Sequence, residues 1–213
     1  MNFETCFIVN FKNVSEQELL ELLKILSTNE SFIKNENFIE KTMPKIVGKV
    51  LIKYIASRIL NVSKNSLIFL KNPNGKPFLK DFPKFCFNIS HTNNAVVIFV
   101  SRTCVGIDVE RIRKINFKIS DRFFHDEERK ILSGSPRKID TFFEIWTKKE
   151  SHVKYYGEGF FNTFAAFNVF CTKLKIKTFK NNGLCISICK GGNFEFNITE
   201  ISLKRLNLIF KEN

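Results

Sequence analysis

The sequence predicts an α+β protein. Helical-period and strand-period segments both occur. The strands are joined by short turn signals of the hairpin kind, and each half of the chain carries a long helix beside antiparallel-looking strands. With 213 residues the chain suffices for one large domain or two small ones. The two halves are similar in length, although no repeat shows in the letters.

Phe3 to Phe11 reads as a strand. Ser15 with Glu18 makes a capping box ahead of the apolar-periodic LLELLKIL. The segment 29–41 is polar, punctuated by Phe, and carries no clear pattern. Pro44 opens a helix, KIVGKVLIKYIASRIL, because proline suits a first helical position and the apolar positions recur at three and four. Residues 61–66 turn into a short strand, LIFL. NPNGKP, 72–77, is a dense turn signal.

Two strands follow, Phe85 to Ile89 and Ala95 to Val100, with a polar turn over Ser90 to Asn94. Another strand follows a polar junction at Ser101 to Thr103. Ile119 to Leu132 reads as one or two helical pieces. Asp140 to Tyr156 is a patterned helix ended by Gly157 and Gly159. FNVF, LKIKTF, LCISIC and FEFNI then read as strands, with NNG and KGGN as turns. The tail from Ser202 is basic and apolar.

Composition narrows the function. Hydrophobic residues make up 44% and charged residues 26%, as in ordinary globular chains. The 25 phenylalanines fit a biased base composition and carry no functional argument. A net charge of +13 favours phosphates, acidic proteins or nucleic acid as partners. The basic residues are scattered, and no nucleic-acid signature stands out. The 6 cysteines form no CxxC pair, so they read as reduced and mostly buried thiols of a cytosolic protein. MNFETCFIVNF lacks the basic start of a signal peptide. The longest purely apolar run, AVVIFV, falls far short of the ~20 residues of a membrane span.

The chemistry concentrates in two segments. CVGIDVE puts Asp108 and Glu110 two apart on a strand, so both side chains share a face. WTKKESHVK puts Glu150 and Lys154 one turn apart on a helix, with Lys149 beside Glu150. Three carboxylates ringed by lysines suit a hard divalent cation next to a phosphate. Each piece alone would have an ordinary reading: a solvated strand face, an i,i+4 helix pair, a turn lysine at Lys76, a turn histidine at His91, a core Trp146.

Four pieces stand in order: Gly75-Lys76-Pro77, Asn88-Ile89-Ser90-His91, Gly106-Ile107-Asp108-Val109-Glu110, and Trp146 through Lys154. Together they resemble the surfactin-synthetase-activating type of 4′-phosphopantetheinyl transferase, over about residues 67 to 165. The resemblance implies transfer of the 4′-phosphopantetheine arm of coenzyme A to a serine of an apo acyl or peptidyl carrier protein, with Mg²⁺ as cofactor. Adenosine 3′,5′-bisphosphate would be the other product. It implies two similar α/β halves in pseudo-twofold arrangement, divided at 1–101 and 102–213. The first half would contribute to coenzyme A binding, and the second would hold the metal site and the catalytic helix.

Residue by residue, the resemblance makes Asp108, Glu110 and Glu150 the metal ligands, with Glu150 also the base for the carrier serine. Lys154 lies at the α-phosphate. Ser90 and His91 hold the 3′-phosphate and adenine end, and Gly75, Lys76 and Pro77 form the loop against the nucleotide. Lys149 adds positive potential. Met43-Pro44-Lys45 replaces the family's usual His-Arg-Thr, which leaves Lys45 for the 3′-phosphate, with Lys34 and Lys41 behind it. The family further implies a cytoplasmic monomer serving fatty-acid, polyketide or peptide-synthetase carriers. Two alternatives remain at this point. One is a basic nucleic-acid-binding protein, which gives the three acids no role. The other is an impaired family member that only binds carrier.

Overall fold

The structure is a computed structural model and describes residues 3–11, 36–157 and 164–211. The capping-box helix expected after Ser15, along with Gly159 and Lys34, lies outside the described residues. Strand β1 (Thr5–Asn10) is followed by the long helix α1 (Glu36–Leu60). A short hairpin, β2 (Phe69–Lys71) and β3 (Pro77–Leu79), turns through NPNGKP. Next come β4 (Cys86–Thr92), β5 (Ala95–Ser101) and β6 (Val105–Arg111). Helices α2 (Ile119–Phe123), α3 (Asp126–Gly134) and α4 (Lys138–Tyr156) lead to β7 (Lys175–Asn181), β8 (Leu184–Lys190), β9 (Asn197–Glu200) and α5 (Leu203–Lys211). The chain is α+β, as its patterning predicts.

Two larger sheets face each other. One runs β4-β5-β1-β9, antiparallel except for the parallel β1–β9 pair; the other runs β6-β8-β7, antiparallel throughout. All of AVVIFVS in β5 is buried, because this central strand is covered on both faces. Val96, Ile98 and Val100 meet Val47, Leu51 and Ile55 of α1. On the other face Ala95, Val97 and Phe99 meet Ile107, Val109, Ile186 and Ile188 of the second sheet. A third core gathers Phe124, Phe142, Phe143 and Trp146 around α4. Burial of these side chains, each worth ~1.5–3 kcal/mol, holds the two sheets and their helices in register.

Several expectations need correction. Pro44 does not open α1; it sits inside a helix already running from Glu36. The pyrrolidine removes one backbone donor, but Met43, Val47 and Leu51 anchor the helix across that point. Strand β4 continues through Thr92, so Ser90 and His91 lie on the strand and not in the turn. FNVF is not a strand. Val169–Cys171 form a 3₁₀ turn capped by Asn168, whose Oδ1 accepts from the Phe170 amide. The basic tail is the amphipathic helix α5, burying Leu206 and Ile209. Cys6, Cys185 and Cys189 are buried, but Cys104 and Cys171 are exposed and Cys86 is half-buried. No described helix is long and apolar enough to cross a membrane.

Candidate active site

The site forms where β4, β6 and α4 converge. Gly106 makes the convergence possible. A Cβ there would lie 2.0 Å from the Ser151 carbonyl oxygen and 2.5 Å from the Tyr155 nitrogen, so strand and helix touch backbone to backbone. That approach brings Asp108 against Glu150 and Lys154. On the other side Asn88 Oδ1 accepts the Ile107 amide at 2.8 Å, stitching β4 to β6. Asn88 and Ser90 alternate with His91 along β4, so they point at β6 while His91 points the other way.

Three side chains close a triangle. Ser90 Oγ donates to Asp108 Oδ1 at 2.8 Å, Lys154 Nζ donates to the same oxygen at 2.6 Å, and Lys154 Nζ also donates to Ser90 Oγ at 2.9 Å. Asp108 and Glu150 are buried, 4% and 5% exposed, yet Asp108 Oδ2 and Glu150 Oε2 have no hydrogen-bond partner among the described residues. A buried polar atom without a partner costs ~1–3 kcal/mol, more when charged. Two such carboxylate oxygens in one cleft are therefore a feature that asks for a ligand.

The electrostatics say the same. Burial, and then the charge of Asp108, push the Glu150 carboxyl up to about 8. Glu110 is raised by burial and by Asp108, while Arg113 pulls it back down. Burial opposes the Lys154 ammonium, but Asp108 and Glu150 more than offset it and its pKa rises. Lys154 pairs with Asp108 and Arg113 with Glu110, so among the described residues Glu150 is the carboxyl group left without an ion pair, and an added cation would favour its charged form.

The remaining predicted residues divide. Glu110 sits at the outer end of β6 and pairs with Arg113 at 3.2 Å. His91 is exposed on β4, and partial burial of its ring, with the charges of Lys154 and Lys45, lowers its pKa. Lys45 is exposed on α1, three residues before Gly48, where an added Cβ would lie 3.3 Å from the Ile89 side chain on β4. His91 and Lys45 thus share one side of the sheet. Gly75 holds a left-handed φ of +86° in the β2–β3 turn. Pro77 and Lys76 line an adjoining cleft of about 340 Å³ with Phe85, Tyr155 and Tyr156.

Lys149 is not brought to the cleft. It is fully buried, and its ammonium donates to both oxygens of Glu128 and to the Phe167 carbonyl. Trp146 packs among Phe123, Phe142 and Phe164, as a core residue. Among the described residues no cluster of three or more His, Cys, Asp or Glu side chains is arranged to hold a metal ion. Sequence reasoning quoted Asn88 in its motif without giving it a role, and missed Arg113 and Glu128. For Asn88 the period-2 spacing to Ser90 was a usable signal; Glu128 and Arg113 act through tertiary contacts that leave none.

Comparison with known proteins places the chain. The family described as the 4′-phosphopantetheinyl transferase superfamily matches residues 104–192, and the one described as 4′-phosphopantetheinyl transferase, N-terminal, matches residues 13–103. The 4′-phosphopantetheinyl transferase gsp of Aneurinibacillus migulanus is 34% identical over 168 residues, which cover 76% of this chain and 70% of the relative. A 4′-phosphopantetheinyl transferase of Bacillus pumilus is 37% identical over 116 residues, 54% of this chain and 50% of the relative. The transferase Sfp of Bacillus subtilis strain 168 is 33% identical over 116 residues, 54% and 52% of the two chains. The matched stretch thus spans about half the length of the latter two. The family uses coenzyme A as substrate and acts on carrier proteins. The chain belongs to the 4′-phosphopantetheinyl transferase superfamily, and is an enzyme of the class to which the Sfp-type transferases belong.

Proposed function

We propose that the chain moves the 4′-phosphopantetheine arm of coenzyme A to a serine hydroxyl of an apo acyl or peptidyl carrier protein, with Mg²⁺, as a cytoplasmic monomer. The serine oxygen bonds to the β-phosphorus of the coenzyme, the one that bears the arm. The pyrophosphate P–O bond breaks, adenosine 3′,5′-bisphosphate leaves, and the serine proton passes to a base. One observation carries the reading: two buried carboxylate oxygens, on Asp108 and Glu150, stand without partners among the described residues, beside a lysine that already bridges β4, β6 and α4.

Oxygen donors of this kind fit Mg²⁺. Asp108 and Glu150 would hold it through their free oxygens, with Glu110 turning in from its Arg113 pair. Bound there, the ion supplies Lewis-acid polarisation of the phosphorus centre and stabilises the leaving bisphosphate. Lys154, held by Asp108 and Ser90, offsets charge building on the phosphate. Glu150 is also the base for the carrier serine, a task in which the ion or a water would assist it. His91 and Lys45 hold the 3′-phosphate end from one side of β4, while the Ser90 hydroxyl is turned to Asp108 and Lys154 on the other. Gly75 and Pro77 shape the turn beside the apolar cleft, whose aromatic walls suit a flat base.

The same reading divides the chain at 1–101 and 102–213, each half with a long helix on a mostly antiparallel sheet and the two related by a pseudo-twofold, with β9 of the second half added in parallel to the sheet of the first. The seam between β4 and β6 is then the coenzyme cleft. The basic surface serves an acidic carrier and not nucleic acid. The test is incubation with coenzyme A, Mg²⁺ and an apo carrier, followed by intact mass. Gain of the arm's mass on the carrier, lost when Mg²⁺ is chelated, is the expected result. An unmodified carrier, or modification indifferent to chelation, overturns the assignment.

A further inference from the structure

Lys76 lies in the Gly-Lys-Pro turn, the loop that the family resemblance sets against the nucleotide, where a lysine is also free to reach a phosphate. An ammonium has three protons to give. Here all three are committed: Nζ donates to the carbonyl oxygens of Val105 at 2.8 Å, Lys154 at 2.7 Å and Tyr155 at 2.9 Å. Each acceptor belongs to an element that builds the site. Val105 opens β6, the strand of Asp108. Lys154 and Tyr155 lie in the last turn of α4, where carbonyls have no intrahelical partner and where a cation is favoured by the helix dipole.

The turn is shaped to deliver this group. Asn72 Oδ1 accepts from the amides of Asn74 and Lys76, and the Asn72 amide donates back to the Lys76 carbonyl at 3.0 Å. Gly157, which ends α4 with φ +70°, lies against the turn. A Cβ there would be 2.9 Å from Asn72 Nδ2 and 3.1 Å from Lys76 Cδ. Turn, strand and helix end are thus locked through one side chain.

We propose that Lys76 is a positioning residue: its ammonium straps the β2–β3 turn to the start of β6 and the end of α4, and so fixes how Lys154 meets Asp108, instead of binding a phosphate of the coenzyme. The proposal rests on the transferase reading of the site. It predicts a loss in turnover with little loss in coenzyme affinity, because the strap acts on Lys154 and not on the ligand. A phosphate contact would do the reverse.

The experiment compares Lys76→Met and Lys76→Arg with the wild-type full chain. Three quantities are read: kcat and KM for arm transfer, the dissociation constant for coenzyme A by calorimetry without carrier, and amide exchange over residues 153–157. Both variants are expected to lose about tenfold or more in kcat, with coenzyme A affinity within about threefold of wild type. Exchange in the last turn of α4 should quicken by about tenfold or more. Arginine should not rescue, since a planar guanidinium does not fit three carbonyls converging on one nitrogen. The proposal is overturned if Arg restores turnover while Met weakens coenzyme A binding about tenfold with exchange unchanged, the pattern of a charge contact. If the wild-type chain transfers no arm, the transferase reading fails alone, and the exchange comparison still decides the strap. Should the Met variant not fold, Lys76→Arg, which keeps charge and stem, carries the same comparison.

Discussion

Replacing Lys149 by methionine removes the cation from a closed buried knot. Glu128 and Lys149 are both 0% exposed. The Glu128 carboxylate accepts four bonds: two from Lys149 Nζ at 2.8 and 2.9 Å, one from the His125 amide at 2.8 Å and one from the Val169 amide at 2.7 Å. Lys149 gives its third proton to the Phe167 carbonyl at 2.7 Å and lies 4.2 Å from the Phe167 ring centroid. Methionine has nearly the same volume, so no cavity term arises. What remains is a buried carboxylate with two amides and no countercharge. Breaking a buried pair from one side costs about 3–5 kcal/mol. For a chain of this size that corresponds to a fall in Tm of about 6–20 °C.

The assay is thermal and urea unfolding of wild type, Lys149→Met, Glu128→Gln and the double variant. The double variant should be more stable than the sum of the single losses predicts, by at least about 1 kcal/mol, since it leaves no unpaired charge. A single-variant loss below about 1 kcal/mol would show that the pair is not what holds α3 and the 167–169 segment to α4. KM for coenzyme A, measured below the melting range, should stay within about twofold for Lys149→Met. A tenfold rise would return Lys149 to the cleft.

The other predictions concern the site itself. Asp108→Ala and Glu150→Ala should each remove most transfer activity, about 10²-fold or more, while circular dichroism stays native; near-normal turnover at saturating Mg²⁺ would refute the shared metal role. Lys45→Ala should raise KM for coenzyme A, by about tenfold for a lost contact of ~1.4 kcal/mol, with a smaller fall in kcat; an unchanged KM removes Lys45 from the 3′-phosphate. Gly106→Ala forces a methyl group into the Ser151 carbonyl at 2.0 Å, so β6 must leave α4. That variant should lose about 1–3 kcal/mol or more in urea unfolding and nearly all activity, and wild-type behaviour in both would disprove the backbone contact.

The contrast between Lys149, Lys76 and Lys154 explains how far letters can go here. All three are lysines in recognisable motifs, and their presence and order were legible. Their directions were not. Lys149 follows one helical step before Glu150, which rotates it about 100° toward the core; what awaits it there is Glu128, distant in sequence. Lys76 meets carbonyls contributed by β6 and α4, which only the folded chain brings together. Local grammar behaved well where the cause was local. The strand period put Asp108 on the face of β6 turned to α4, opposite Ile107 and Val109, and Gly157 ended α4 in the left-handed conformation its lack of Cβ allows. Local grammar failed where two local readings competed. A proline after polar residues fits a helix start or a helix interior equally, and Phe and Val favour a strand until Asn168 caps the turn and Glu128 captures the Val169 amide. The parallel pairing of β9 with β1 had no local cause at all, since partners such as Thr5 and Asn197 meet only through the completed core. A motif therefore specifies which charges a site owns, while the contacts of its neighbours decide which of those charges are free. In this cleft that decision leaves Lys154 facing the unpartnered carboxylate oxygens, and turns Lys149 and Lys76 into the structure that holds it there.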